Sequence, residues 1–191
     1  MRVGGCDPSL TGCALVAHVD GELREHEFKS KNLGDTVEAR NARYETILRP
    51  LREAVIAAKL DLLVIEGHPV GAKNGKAFDR AELRGQLQLV LGKHVGAWVE
   101  LNPIHLKQYV TGKGNADWDE MVRCVHERWG RRFASDNTCD AYALWRFGLE
   151  LVPLIGTGHP QQAVERLLAR EKRARVDRER VRNNQLFLGG R

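Results

Sequence analysis

Four acidic residues in this chain have the spacing and surroundings of a catalytic set. Asp7 follows the β-prone run from Arg2 to Cys6 and precedes the turn residues Pro8 and Ser9. Glu66 follows Leu60 to Ile65, a continuous apolar run of the kind that forms a strand buried on both faces. An acid at the end of such a strand emerges at the sheet edge. If the two strands are parallel neighbours, Asp7 and Glu66 stand side by side. Asp136 and Asp140 are spaced i,i+4 and share one helix face. Asp140 is embedded among Cys139, Ala141, Tyr142, Ala143 and Leu144, where an acid needs a partner or a metal. Carboxylates held close repel unless a cation lies between them. Oxygen-only ligands favour Mg²⁺ or Mn²⁺. Such a cluster supports two-metal phosphodiester hydrolysis, with one ion generating hydroxide and the other stabilising the leaving 3′ oxygen. Each acid also has a plainer reading: Asp7 as a turn residue, and Asp136 or Ser135 as a helix N-cap. Taken as a set in this order, they favour chemistry.

The elements that must position these acids follow from periodicity and turn residues. Arg2 to Cys6, Gly12 to Val19 and Leu23 to Phe28 read as a three-strand antiparallel meander, turning at Asp7-Pro8-Ser9 and Asp20-Gly21. Asp35 or Thr36 caps a helix reaching about Lys59, with a kink or break expected at Pro50. After the Leu60–Ile65 strand, helices are expected at about Lys76–Leu91, Ile104–Val110, Asp117–Trp129 and Asn137–Leu149, with a strand at Ala97–Leu101. This order predicts an α/β domain of ribonuclease-H-like fold, a mixed five-stranded sheet flanked by helices. The domain is expected over residues 1–155, and residues 156–191 as a basic helical tail.

The bulk properties suit a polyanionic partner. The 191-residue chain carries a net charge of +5 and a pI of about 9.2. From Glu165 onward, nine basic residues face four acids. A solvated helix face laced with ion pairs would also account for that tail. No apolar run reaches the ~20 residues of a membrane span. The opening MRVGGCDPSL is not a signal peptide, so a cytoplasmic protein is expected. Four cysteines without a C-x-x-C pair argue against structural zinc and read as reduced, buried side chains.

With these residues in view, the chain resembles the RuvC family of crossover junction endodeoxyribonucleases, as a divergent, phage-type member. Gly5-Cys6-Asp7-Pro8-Ser9-Leu10-Thr11-Gly12 resembles the family's opening motif, and Val64-Ile65-Glu66 its second acidic strand end. Ala72-Lys73-Asn74 with Leu83-Arg84-Gly85 resembles its basic loop and dimer helix. Ile104 to Gln108, Gly112-Lys113-Gly114, and Asp136 through Leu144 resemble later segments. The match runs from Arg2 to Trp145. It implies a homodimer cutting opposed strands of a four-way junction. It implies two Mg²⁺ per site, with Mn²⁺ able to substitute, held by Asp7, Glu66 and Asp140, and Lys107 near the scissile phosphate. The family's fourth ligand falls at Asn137, with Asp136 one residue earlier; the carboxylate is preferred. Lys73, Asn74, Lys76, Lys113, Arg173 and Arg175 are expected DNA contacts.

Some positions depart from the pattern. Trp118 replaces a second basic residue, and Pro69, beside His68, replaces an aromatic wedge that would stack on bases. Rival readings are a broader flap or branched-DNA nuclease and a non-cleaving junction binder. The Asp7 turn also resembles the phosphate turn of actin-like kinases, which need a longer, two-lobed chain. A branch-migration motor as partner is left open.

Overall fold

The computed structural model describes residues 1–67, 76–155 and 160–188, the backbone alone for 76, 77 and 182–188. Five strands form one sheet in the order β3-β2-β1-β4-β5. They are β1 (Val3–Asp7), β2 (Gly12–Val19), β3 (Glu22–Lys29), β4 (Leu62–Glu66) and β5 (Ala97–Leu101). The first three are antiparallel, whereas β1, β4 and β5 run parallel. This is the mixed five-stranded sheet of the ribonuclease-H-like class. Asp20 and Gly21 both take positive φ, the backbone a tight hairpin between β2 and β3 requires. β3 forms one sheet edge, and its charged side chains blunt it against further pairing.

Helices α1 (Val37–Ala58) and α2 (Lys76–Leu91) cover one face. Their buried Ile47, Leu51, Val55, Leu83 and Leu87 meet Cys6, Leu15 and Leu63. The other face carries α3 (Pro103–Thr111), α4 (Trp118–Trp129), α5 (Asp136–Ile155) and α6 (Pro160–Leu188). There Val3, Val16, Val64 and Val99 meet Leu106, Leu144, Phe147 and Leu151.

Thr36 caps α1, its hydroxyl accepting from the Ala39 amide at 3.2 Å. The expected interruption at Pro50 does not occur as a break: α1 is one helix across it. Buried side chains on both sides of the proline seat the two halves on the sheet and outweigh one missing N–H donor. α5 likewise runs six residues past the expected Leu149, because Leu151 is buried and holds the extension down. Cys6, Cys13 and Cys139 are buried free thiols, and Cys124 is half-buried. No helix among the described residues is long and apolar enough to cross a membrane.

Candidate active site

β1 and β4 are in parallel register, with Cys6 beside Ile65. The next residues, Asp7 and Glu66, therefore end neighbouring strands side by side. Strand alternation puts both on the face covered by α5. Glycine lets that helix come close. A Cβ built on Gly5 would lie 2.1 Å from the Ala141 carbonyl oxygen and 2.2 Å from the Trp145 nitrogen. One on Gly148 would lie 2.5 Å from Val3 Cγ1. The helix backbone thus rests directly on β1, and the residue before Ala141, Asp140, is delivered to the strand end that carries Asp7. Ser135 caps α5, accepting from the Thr138 amide at 3.2 Å, so Asp136 opens the first turn rather than capping it.

The three carboxyls converge in a poorly solvated place. Asp7 is only 7% exposed. Burial, then the nearby charges of Glu66 and Asp140, push its carboxyl well above the usual range. Burial raises Glu66 too, and a hydrogen bond with Asp7, then Lys107 and Arg80, act in the opposite direction. Asp140 is pushed up to about 7 by burial and by Glu66, with Lys107 opposing. Its Oδ1 is buried and finds no hydrogen-bond partner among the described residues. A buried acceptor without a donor is costly, and a cation would satisfy it. Among the described residues, no three His, Cys, Asp or Glu side chains are drawn together as a finished ligand shell. Asp7 and Glu66 come within hydrogen-bonding reach of each other, and two carboxylates that close need a proton or a cation between them. The donor set is all oxygen, which fits a hard divalent ion.

The acids line a cleft of roughly 640 Å³, together with Lys107, Asp136 and Asn137. Asp136 is exposed, and its charge raises Asp140. Asn137 is half-buried, and its amide Nδ2 donates to Glu27 Oε1 at 3.3 Å. A carboxylate can only accept, so Glu27 holds the nitrogen side of that amide. Both alternatives for a fourth ligand therefore reach the cleft.

Sequence reasoning missed three side chains here. Arg80 on α2 is exposed, lines the cleft and acts on Glu66. Glu27 on β3 orients Asn137. Arg43 on α1 donates to the Leu10 carbonyl at 2.7 Å and to Ser30 Oγ at 3.1 Å, pinning the turn after Asp7. No local pattern marks them, because each pairs with a residue far away in the chain.

The expected DNA contacts scatter. Lys73 and Asn74 lie outside the described residues, as do His68 and Pro69. Lys76 is the first residue of α2, its side chain outside the description. Lys113 is exposed and paired with Glu120 at 2.7 Å. Arg173 is exposed on α6. Arg175 is half-buried and turned toward α3, where its guanidinium donates to the Gln108 carbonyl at 3.3 Å.

No family model matches the chain. Curated relatives do. The chain is 28% identical over 142 residues to the crossover junction endodeoxyribonuclease RuvC of Brachyspira hyodysenteriae, covering 73% of this chain and 88% of that one. It is 26% identical over 149 residues to RuvC of Carboxydothermus hydrogenoformans, covering 75% and 92%. Among solved structures, Thermus thermophilus RuvC superposes with a TM-score of 0.59 at 20% identity, covering 76% of this chain and 91% of that one. The same protein in complex with a Holliday junction substrate gives 0.57 at 20% identity, covering 76% and 90%. In sequence this chain is similar to proteins named crossover junction endodeoxyribonuclease RuvC, and it shares the fold of the solved RuvC structure.

Proposed function

We propose that the protein is a structure-selective endonuclease that resolves four-way DNA junctions by paired, metal-dependent phosphodiester hydrolysis. The observation that carries this reading is the convergence of Asp7, Glu66 and Asp140, with an unsatisfied buried Asp140 oxygen, in one cleft with Lys107. Nearness to proteins named as crossover junction endodeoxyribonucleases supports the substrate.

In this reading Asp7, Glu66 and Asp140 hold the metal, with Asp136 as the favoured fourth ligand and Asn137 the alternative. Those residues would hold two Mg²⁺ per site, with Mn²⁺ able to substitute, and the metal would supply activation of water and charge neutralisation at the leaving 3′ oxygen. The chain's own groups do the rest. The fixed backbones of β1, β4 and α5 keep the three carboxylates in place, so little reorganisation accompanies reaction. Lys107 pairs with a non-bridging oxygen of the scissile phosphate, offsetting the charge that develops there. Arg80 adds a second positive charge beside Glu66. Lys73, Asn74, Lys76, Lys113 and Arg173 contact the backbone of the junction arms, a sequence-independent and salt-sensitive interaction. A homodimer through α2 would present two sites for opposed strands. This helix buries Leu83, Leu87 and Leu91 but leaves Phe78 and Leu89 exposed. The protein would act on DNA in the cytoplasm.

The test is cleavage of a labelled synthetic four-way junction with Mg²⁺, with Mn²⁺ and with chelator, beside duplex and flap controls. Paired symmetric nicks on the junction alone are expected. Equal cutting of flaps and forks would replace the resolvase reading with a general branched-DNA nuclease. Tight binding without cutting in either metal would leave a junction-binding module.

A further inference from the structure

The motifs that resemble known resolvases run from Arg2 to Trp145, and α6, which begins at Pro160, is built into the body. Ala163, Val164 and Leu167 are buried in the same core as α3, α4 and α5. Beyond them, Glu171 and Arg175 face inward, toward the helix that carries Lys107.

α3 is only nine residues long, and a helix of that length depends on its surroundings. Asn102 caps its N-terminus, accepting from the Ile104 amide at 2.9 Å. Its last carbonyls must find donors elsewhere. Gly112 gives one, from its backbone N–H to the Gln108 carbonyl at 3.0 Å. The Thr111 hydroxyl donates to the Lys107 carbonyl at 2.9 Å. Two more donors are guanidinia from other helices. Arg175 of α6 donates to the Gln108 carbonyl at 3.3 Å. It lies so close over Gly112 that a Cβ there would meet its Nη1 at 1.5 Å. Arg128 of α4 donates to the Tyr109 carbonyl at 2.5 Å. Cations at a helix C-terminus also meet the favourable end of its dipole.

Arg128 is itself fixed by α6. Its guanidinium lies over the rings of Tyr109 and Trp129, at 4.6 and 4.8 Å. Glu171 accepts from it at 3.1 Å. Glu150 of α5 completes the set, taking the Tyr109 hydroxyl at 2.8 Å and Arg170 of α6 at 2.9 Å. The two carbonyls that follow Lys107 in the chain are therefore held by one arginine from α6 and by another that α6 steadies.

We propose that α6 is a brace for α3, and that Glu171 and Arg175 are positioning residues that set the height and rotation of Lys107 over the cleft. Lysine needs such a frame, because its charge sits on a flexible four-carbon stem. The brace rests on the proposed role of Lys107 in the cleavage reaction.

The test uses the full-length protein with Glu171→Gln, Arg175→Ala and the two combined. Lys172→Ala, on the exposed side of α6, is the charge-matched control for Arg175→Ala, while the combined variant leaves the net charge unchanged. Buried Ala163, Val164 and Leu167 keep α6 docked in every variant. The combined variant is expected to lose about tenfold in single-turnover cleavage at saturating protein, since small misplacements of a catalytic group cost up to ~100-fold. Its junction Kd should stay within about twofold, because the Arg175 guanidinium, expected from sequence to meet DNA, is turned onto the Gln108 carbonyl instead. Arg175→Lys, which keeps a donor, should recover part of the rate. In a Lys107→Ala background, the same changes should cost nothing further. Amide hydrogen exchange over residues 103–112 should speed up in the combined variant while α5 stays protected. That readout needs no cleavage. If the wild type fails to cut junctions, the enzymatic reading falls while the exchange result still decides the brace. Wild-type exchange in α3, or rate losses that multiply with Lys107→Ala, would overturn the proposal.

Discussion

Replacing Asp140 with asparagine should make the metal-free protein more stable at neutral pH while destroying its activity. The carboxyl of Asp140 is pushed up to about 7 from an ordinary 3.8 by burial and by Glu66. A raised acid favours the folded state fully while it is protonated. That contribution is lost as pH rises from about 4 through about 7. The whole gap corresponds to roughly 4 kcal/mol at ~1.4 kcal/mol per pH unit. Relaxation and water entering the cleft take roughly half of it, leaving about 2 kcal/mol. An amide removes the charge and keeps the shape. In a 191-residue chain, about 2 kcal/mol corresponds to a Tm rise of about 4–8 °C. The assay is thermal unfolding of wild type and Asp140→Asn in chelator, from pH 4 to pH 8.5. The two curves should nearly coincide at pH 4 and separate above pH 6, with the variant higher. Adding Mg²⁺ should raise the wild-type Tm and move the variant much less. A variant that melts at or below wild type at pH 8 would refute the reasoning, because Asp140 would then be held by favourable contacts.

Four further outcomes can be checked directly. Asp7→Asn should abolish cleavage and retain junction binding, since losing a carboxylate lessens repulsion of DNA phosphates; a filter-binding or gel-shift titration that shows lost binding would instead make Asp7 structural. Gly5→Ala should lower stability by about 3 kcal/mol, at the upper end for an added methyl group because the obstacle is backbone; denaturant unfolding measures it, and an unchanged midpoint would mean α5 can lift off β1 freely. Arg173→Ala should weaken junction binding and flatten its salt dependence by about one unit of log–log slope, whereas an unchanged slope removes that face of α6 from the DNA. Sedimentation should find a dimer that Phe78→Glu on α2 disrupts, and an unaffected dimer would place the interface elsewhere.

The sheet and the acid positions were legible because both are local signals. The apolar run before Glu66 announces a buried parallel strand, and the apolar neighbours of Asp140 announce an acid with a task. The Ala97–Leu101 strand has the expected bounds for the same reason. Pro50 does not break α1, because its missing N–H is a local cost offset by buried neighbours on both sides. The tail reads in sequence as a basic helix. Composition cannot show that Arg175 and Glu171 turn inward while Arg173 turns out, since that depends on which stripe of α6 is buried. Glu27, Arg43 and Arg80 were invisible for a related reason: each matters through a residue more than ten positions away.

The close seating of α5 on β1 separates two kinds of change that evolution or an engineer could make. Asp7, Glu66 and Asp140 sit on a strand–strand–helix unit whose contact distances leave no room for another methyl group. The basic residues proposed to meet the junction arms lie elsewhere, on α2, α6 and the segment after α3. On the proposed reading, substrate preference can therefore drift, or be redesigned, by altering those outer parts while the three acids stay in place. Changes to the unit itself have no comparable latitude, and variants of Gly5 or Gly148 should be rare among functional survivors of a saturation library.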